Sequence, residues 1–105
     1  MSNSIDDLAS LDFSDIATGE RLPPVTPGAI LRHEFMAPLG LSARALAREI
    51  AMPPNRVTGI INGVRSITAD TALRLADRFG TSAEFWMNAQ AAHDLDLARR
   101  ERAAA

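Results

Sequence analysis

Proline and glycine divide this chain into pieces, most of them too short to be stable helices alone. Pro23, Pro24 and Pro27, then Pro38 and Gly40, Pro53 and Pro54, Gly63, and Gly80 interrupt it at short intervals. Between these breaks the apolar residues recur at helical spacing, and no stretch alternates with period two. Isolated helices of fewer than about 12–15 residues are marginal in water. The pieces must therefore bury their apolar faces on one another, and the fold class expected is all-α.

The breaks and caps set the elements. Pro27 opens "GAILRHEFMAPLG", where Leu31, Phe35 and Leu39 share a side. Proline lacks an N–H and clashes with the carbonyl one turn back, so Pro38 is expected to end this helix before Leu39, with Gly40 as the break. Ser42 caps "ARALAREIAM", whose face is Leu46, Ala47 and Ile50. Pro53 and Pro54 close that segment, and Pro54 suits the first position of "PNRVTGIIN", which stops at Gly63. Thr68 caps "ADTALRLADRF", with Asp70 in its first turn and Ala72, Leu73, Ala76 and Phe79 as the expected buried stripe. Gly80 ends it. Ser82 then caps the last and longest helix, about 83–101, with Glu84 near its positive end and Arg99, Arg100 and Arg102 near its negative end. The closing "AAA" is expected to fray.

Charge divides the chain in two. Residues 1–26 carry five acids and one base, and residues 27–105 carry ten arginines and eight acids. The expected organisation is an acidic, flexible N-terminal tail, 1–26, and a helical domain, 27–101. Within the tail, Ile5, Leu8 and Leu11 can line a short helix capped at Ser4, or fold only on a partner.

Several function classes have no support in the residues. The first twenty residues hold four aspartates and no basic side chain, which is no secretory signal. No run approaches the ~18–20 apolar residues that span a bilayer. Without cysteine, disulfides play no part, and the cytoplasm is the expected location. His33 and His93 each adjoin an acid, but helical neighbours point about 100° apart and cannot chelate one metal. No HExxH, CxxC, phosphate loop or nucleophile–base pair is present. An enzyme, a cofactor, a metal and a small-molecule substrate are therefore not expected.

One stretch stands out against the net charge of −2: "LSARALAREIAMPPNRVTGIINGVR", residues 41–65, with four arginines and one glutamate. Two short helices joined by a tight turn suggest helix-turn-helix. At 100° per residue, Val57, Ile60 and Ile61 of the second helix cluster inward. Asn55, Gly59 and Asn62 lie opposite, flanked by Arg56 and Thr58. Asn can pair with adenine and Arg with guanine in the major groove, and a bare Gly59 would let backbone approach it. Ser42 and Arg44 open the preceding helix, whose N-terminus favours phosphate. Arg65, just past the second helix, is placed for another. Glu49 is expected to lie away from this face.

Beyond spacing, the stretch "LGLSARALAREIAMPPNRVTGIINGVRSITADTALRLADRFGTSAEFWMNAQ" resembles the DNA-binding domain of the phage lambda repressor and Cro (XRE) superfamily. Its part "NGVRSITADTALRLADRFGTSAEFWMNAQ" is similar to the HigA antitoxins, the VapI-like branch. The resemblance implies a five-helix lambda-repressor-like domain that acts as a dimer. It implies base contacts at Pro54, Asn55, Arg56 and Gly59, and backbone contacts at Asn62 and the turn after it. Many relatives carry glutamine or serine where this chain has Pro53–Pro54, and glycine where it has Ala51. The resemblance further implies two partners: operator DNA and a RelE-like mRNA-cleaving toxin, HigB, that the antitoxin neutralises while repressing the shared operon. The toxin contact is open between residues 1–26 and the helical body. The alternatives are a free-standing XRE repressor without a toxin, and an interaction module that no longer binds DNA.

The last helix is apolar on more than one side and so needs more than one neighbour. Its core takes one. A second subunit is expected on Phe85, Trp86, Ala89, Gln90, His93 and Leu97. That symmetry would set two recognition helices ~34–36 Å apart on a palindromic operator.

Overall fold

The computed structural model describes residues 25–104. The acidic tail and its short helix capped at Ser4 lie outside the described residues.

Helix α1 has three consecutive segments: α-helical Pro27–Ile30, a π-helical stretch Leu31–Met36, and α-helical Ala37–Leu39. The Thr26 Oγ1 accepts from the Ala29 N–H at 3.0 Å. Pro38 does not end the helix, contrary to expectation. The π-helical widening, seen in the Ala37 N–H reaching the Arg32 carbonyl, lets the chain carry a residue with no N–H to give. The break comes at Gly40, φ +65°. There the Leu41 N–H returns to the Met36 carbonyl and the Gly40 N–H to that of Ala37, each at 3.0 Å. This double bond pattern is a Schellman ending.

Helix α2, Ala43–Glu49, is capped by the Ser42 Oγ, which accepts from the Ala45 N–H at 3.1 Å. Its end repeats the pattern of α1: the Met52 N–H bonds the Ala47 carbonyl at 2.9 Å and the Ala51 N–H that of Arg48 at 3.4 Å. The left-handed position, however, is held by Ala51, φ +59°. Its Cβ crowds the following carbonyl there, which costs about 1–2 kcal/mol. The turn thus keeps the geometry glycine would give, under strain.

Helix α3, Pro54–Ile61, starts with proline in its first turn and ends at Gly63, φ +79°. The Val64 N–H bonds the Gly59 carbonyl at 2.9 Å and the Gly63 N–H that of Ile60 at 3.1 Å. Helices α4, Ala69–Phe79, and α5, Ala83–Ala104, follow, packed side by side. Thr68 caps α4 and Ser82 caps α5, each through its hydroxyl. Ala103 and Ala104 continue α5, in keeping with alanine's high helix propensity, and Ala105 lies outside the described residues.

Leu31, Met36, Leu46, Ala47, Ile50, Met52, Val57, Ile60, Ile67, Ala72, Leu75 and Trp86 form the core. Leu73, expected in the α4 stripe, is 58% exposed; Thr71 and Leu75 are buried instead. The stripe follows Ala72, Leu75, Ala76 and Phe79, and Leu73 sits 100° off it. Phe35 draws α1, α4 and α5 together. Its ring lies 5.2 Å from that of Phe79, 6.0 Å from Phe85 and 5.0 Å from Trp86. At Gly28, α1 meets α3 backbone to backbone: a Cβ there would lie 1.8 Å from the Ile60 carbonyl oxygen. Only glycine permits that approach.

Candidate nucleic-acid interface

The exposed side of α3 is built by burial of the other side. Val57 and Ile60 point into the core, and helical rotation turns Pro54, Asn55, Arg56, Thr58 and Asn62 to the surface. The Thr58 Oγ1 donates to the Pro54 carbonyl at 3.0 Å, so its hydrogen is spent on its own helix. Ser42, Arg44 and Arg65 are also exposed. Ser42, Thr58 and Asn62 line one groove together, between α1, α2 and α3. Arg56 and Arg65 meet at a second, beside Ser66 and the start of α4.

Gly59 differs from expectation. It is buried, with the Arg65 side chain laid across it: a Cβ at Gly59 would lie 2.8 Å from Arg65 Cδ and 3.0 Å from Cγ. The missing side chain therefore seats an arginine, and no bare backbone is offered at the surface. The Arg65 N–H also bonds the Gly59 carbonyl at 3.1 Å. Helical periodicity carried no sign of this, because the covering residue comes from the loop beyond the helix.

A further cation joins the face. Arg32 of α1 lines the same groove as Ser42, Thr58 and Asn62. It lies outside the 41–65 island, and only the packing of α1 on α3 brings it there. Glu49, as expected, is turned away and paired with Arg78 of α4. Among the described residues, the ion pairs are Arg78–Glu49, Arg74–Asp70 and Arg100–Asp96. Arg32, Arg44, Arg56 and Arg65 belong to none of them. The face is thus cationic, with Asn and Thr side chains between the charges. Among the described residues no group of histidines, cysteines or acids is placed to hold a metal ion, and no helix is long and apolar enough to cross a membrane.

The expected subunit contact on α5 is corrected in part. Trp86 is 0% exposed and Gln90 only 8%, both inside the protomer. The Trp86 Nε1 donates to the Thr81 Oγ1 at 2.8 Å. The Gln90 Oε1 accepts from the buried Ile67 N–H at 2.8 Å, and its amide nitrogen donates to Asp94 at 2.9 Å. Gln90 is a structural strut, tying α5 to the loop that follows α3. Ala89 and His93 are half-buried. Phe85 and Leu97 stay about 40% exposed, and Met87 and Leu95 join them at the surface.

Comparison with known proteins places this arrangement. Residues 33–86 match the helix-turn-helix family model HTH_3. The chain is 47% identical over 81 residues to virulence-associated protein I of Dichelobacter nodosus, covering 77% of this chain and 75% of that one. Among solved structures, an addiction module antidote protein of the HigA family from Coxiella burnetii is 51% identical. It covers 79% of this chain and 90% of its own, with a TM-score of 0.74. The Pseudomonas aeruginosa antitoxin HigA, solved with the higBA promoter, is 40% identical over 78% of this chain and 89% of its own, at TM-score 0.75. These families are non-enzymatic regulators. The chain belongs to the XRE-type helix-turn-helix family, among the HigA-like antitoxins.

Proposed function

We propose that this protein is the antitoxin of a HigBA-like toxin–antitoxin pair. It binds operator DNA as a homodimer, represses its own operon, and neutralises a RelE-like mRNA-cleaving toxin in the cytoplasm. The observation that carries the DNA part is the cationic rim of Arg32, Arg44 and Arg65, in no ion pair among the described residues, around the exposed Asn55, Arg56, Thr58 and Asn62 of α3. Cations of this kind displace counterions from phosphates and hold the duplex in register. Asn55 and Arg56, at the start of α3, are the base readers. Gly59 contributes by seating Arg65. That a similar antitoxin was solved with its promoter supports the same use of this face.

The dimer contact falls on the part of α5 that stays accessible: Phe85, Ala89, His93 and Leu97, with Trp86 and Gln90 supporting it from inside. Repeating α3 about a two-fold axis makes the operator palindromic. The toxin is the remaining partner, supported by the HigA kinship.

Two assays test this. A gel shift with duplex from the chain's own promoter should show tight binding that weakens steeply with salt, against much weaker binding to a shuffled duplex. Co-expression with the neighbouring reading frame should rescue growth from that frame's toxicity. Promoter binding without rescue from the toxicity of any neighbouring frame would leave a free-standing repressor. Absence of promoter binding would refute the operator role.

A further inference from the structure

We infer that Arg74 of α4 is a positioning residue for α3: it clamps the turn that aims the recognition helix. This rests on the DNA-binding reading above. The Arg74 Nη1 donates to the Ile50 carbonyl at 2.8 Å and, more loosely, to the Ala51 carbonyl at 3.3 Å. Its Nε donates to Asp70 Oδ2 at 2.8 Å, one turn back on the same helix.

Three facts give the clamp its meaning. First, Ile50 caps the C-terminal end of α2 and Ala51 follows it in the turn that leads to α3, so their backbone sets the angle between the two helices. Second, Ala51 sits at φ +59°, a conformation an alanine leaves readily unless its surroundings hold it. Third, carbonyls at a helix C-terminus lack intrahelical donors and favour a cation. Arg74 supplies that cation as a planar fork, its Nε held by Asp70 while Nη1 faces the turn. The ion pair itself is 38% and 65% exposed, so its stabilisation is small. Its effect is geometric. Because α4 packs on α5, the clamp also fixes α3 relative to the helix that faces the second subunit. A glycine in the turn would adopt the left-handed conformation unaided, so the alanine makes this chain depend on its arginine.

The experiment is a double-mutant cycle of Arg74→Gln and Ala51→Gly in the full-length protein. Binding to promoter duplex and to shuffled duplex is measured at a temperature where circular dichroism shows every variant folded. Arg74→Gln should weaken promoter binding about tenfold or more while shuffled-duplex binding changes less than about twofold, and Ala51→Gly should restore most of the loss. Arg74→Lys, a point charge without the fork, should fall between. Equal promoter affinity for Arg74→Gln and wild type would overturn the inference. So would a loss shared equally by both duplexes, which marks an ordinary phosphate contact. If wild type itself fails to prefer its promoter, the operator reading fails, and amide exchange then decides on the clamp. Faster exchange of the Ala51 and Met52 amides in Arg74→Gln supports it, and unchanged exchange refutes it.

Discussion

Replacing Gly28 by alanine adds one methyl group where α1 and α3 meet backbone to backbone. That Cβ would lie 1.8 Å from the Ile60 carbonyl oxygen, 2.7 Å from its carbon and 2.9 Å from Ile61 Cα. All three are backbone atoms of α3 or attached to it, so no rotamer relieves them. Real Cβ contacts stay at 3.0 Å or beyond, so α1 and α3 would have to part by about 1.2 Å. Separation loosens the packing of α1 on α3 and strains the Thr26 cap two residues away. Overpacking costs about 1–3 kcal/mol, and a lost cap adds about 1 kcal/mol, for roughly 3 kcal/mol in total. At about 4–8 °C per kcal/mol for a domain of this size, Tm should fall by roughly 12–24 °C. Gly40→Ala is the internal control. It has nothing within 4 Å of its Cβ and φ +65°, so only the left-handed backbone opposes it, at about 1–2 kcal/mol. Thermal unfolding followed by circular dichroism measures both. A Gly28→Ala protein within about 4 °C of wild type, or less affected than Gly40→Ala, would refute the close approach of α1 and α3.

Other substitutions probe separate parts of the account. Ala51→Gly alone should stabilise the fold by about 0.5–1 kcal/mol, because relief of left-handed strain exceeds glycine's extra unfolded-state entropy; urea unfolding reads this as a higher midpoint at unchanged slope. Gln90→Leu keeps volume but leaves the buried Ile67 N–H without its acceptor, so it should cost about 1–3 kcal/mol in the same assay. Arg32→Ala and Arg44→Ala should each weaken all duplexes alike and lower the salt slope of binding by about one.

Local chemistry made the helix ends legible. Ser42, Thr68 and Ser82 cap, and Gly40, Gly63 and Gly80 stop, for reasons carried by those residues and their immediate neighbours. The outward side of α3 was legible too, since burying Val57 and Ile60 leaves Asn55, Arg56, Thr58 and Asn62 no other place. What escaped was non-local. Arg65 folds back onto Gly59 from a loop. Arg32 reaches the face only through α1 packing on α3. Arg74 reaches Ile50 across 24 residues of chain. The apolar surface of α5 gave no unique inward side, so Trp86 and Gln90 could be assigned to a subunit contact when both fill the protomer's own interior. Pro38 obeyed its chemistry, but α1 met the missing N–H by widening its turn, not by ending.

The most direct measurement is the affinity of Arg56→Ala for the promoter duplex and for single-base variants of it, at one fixed salt concentration. The account predicts a loss of about 1–3 kcal/mol on the native site and a relaxed preference at one position in each half-site. Native affinity with undiminished discrimination would show that the outward side of α3 does not read bases.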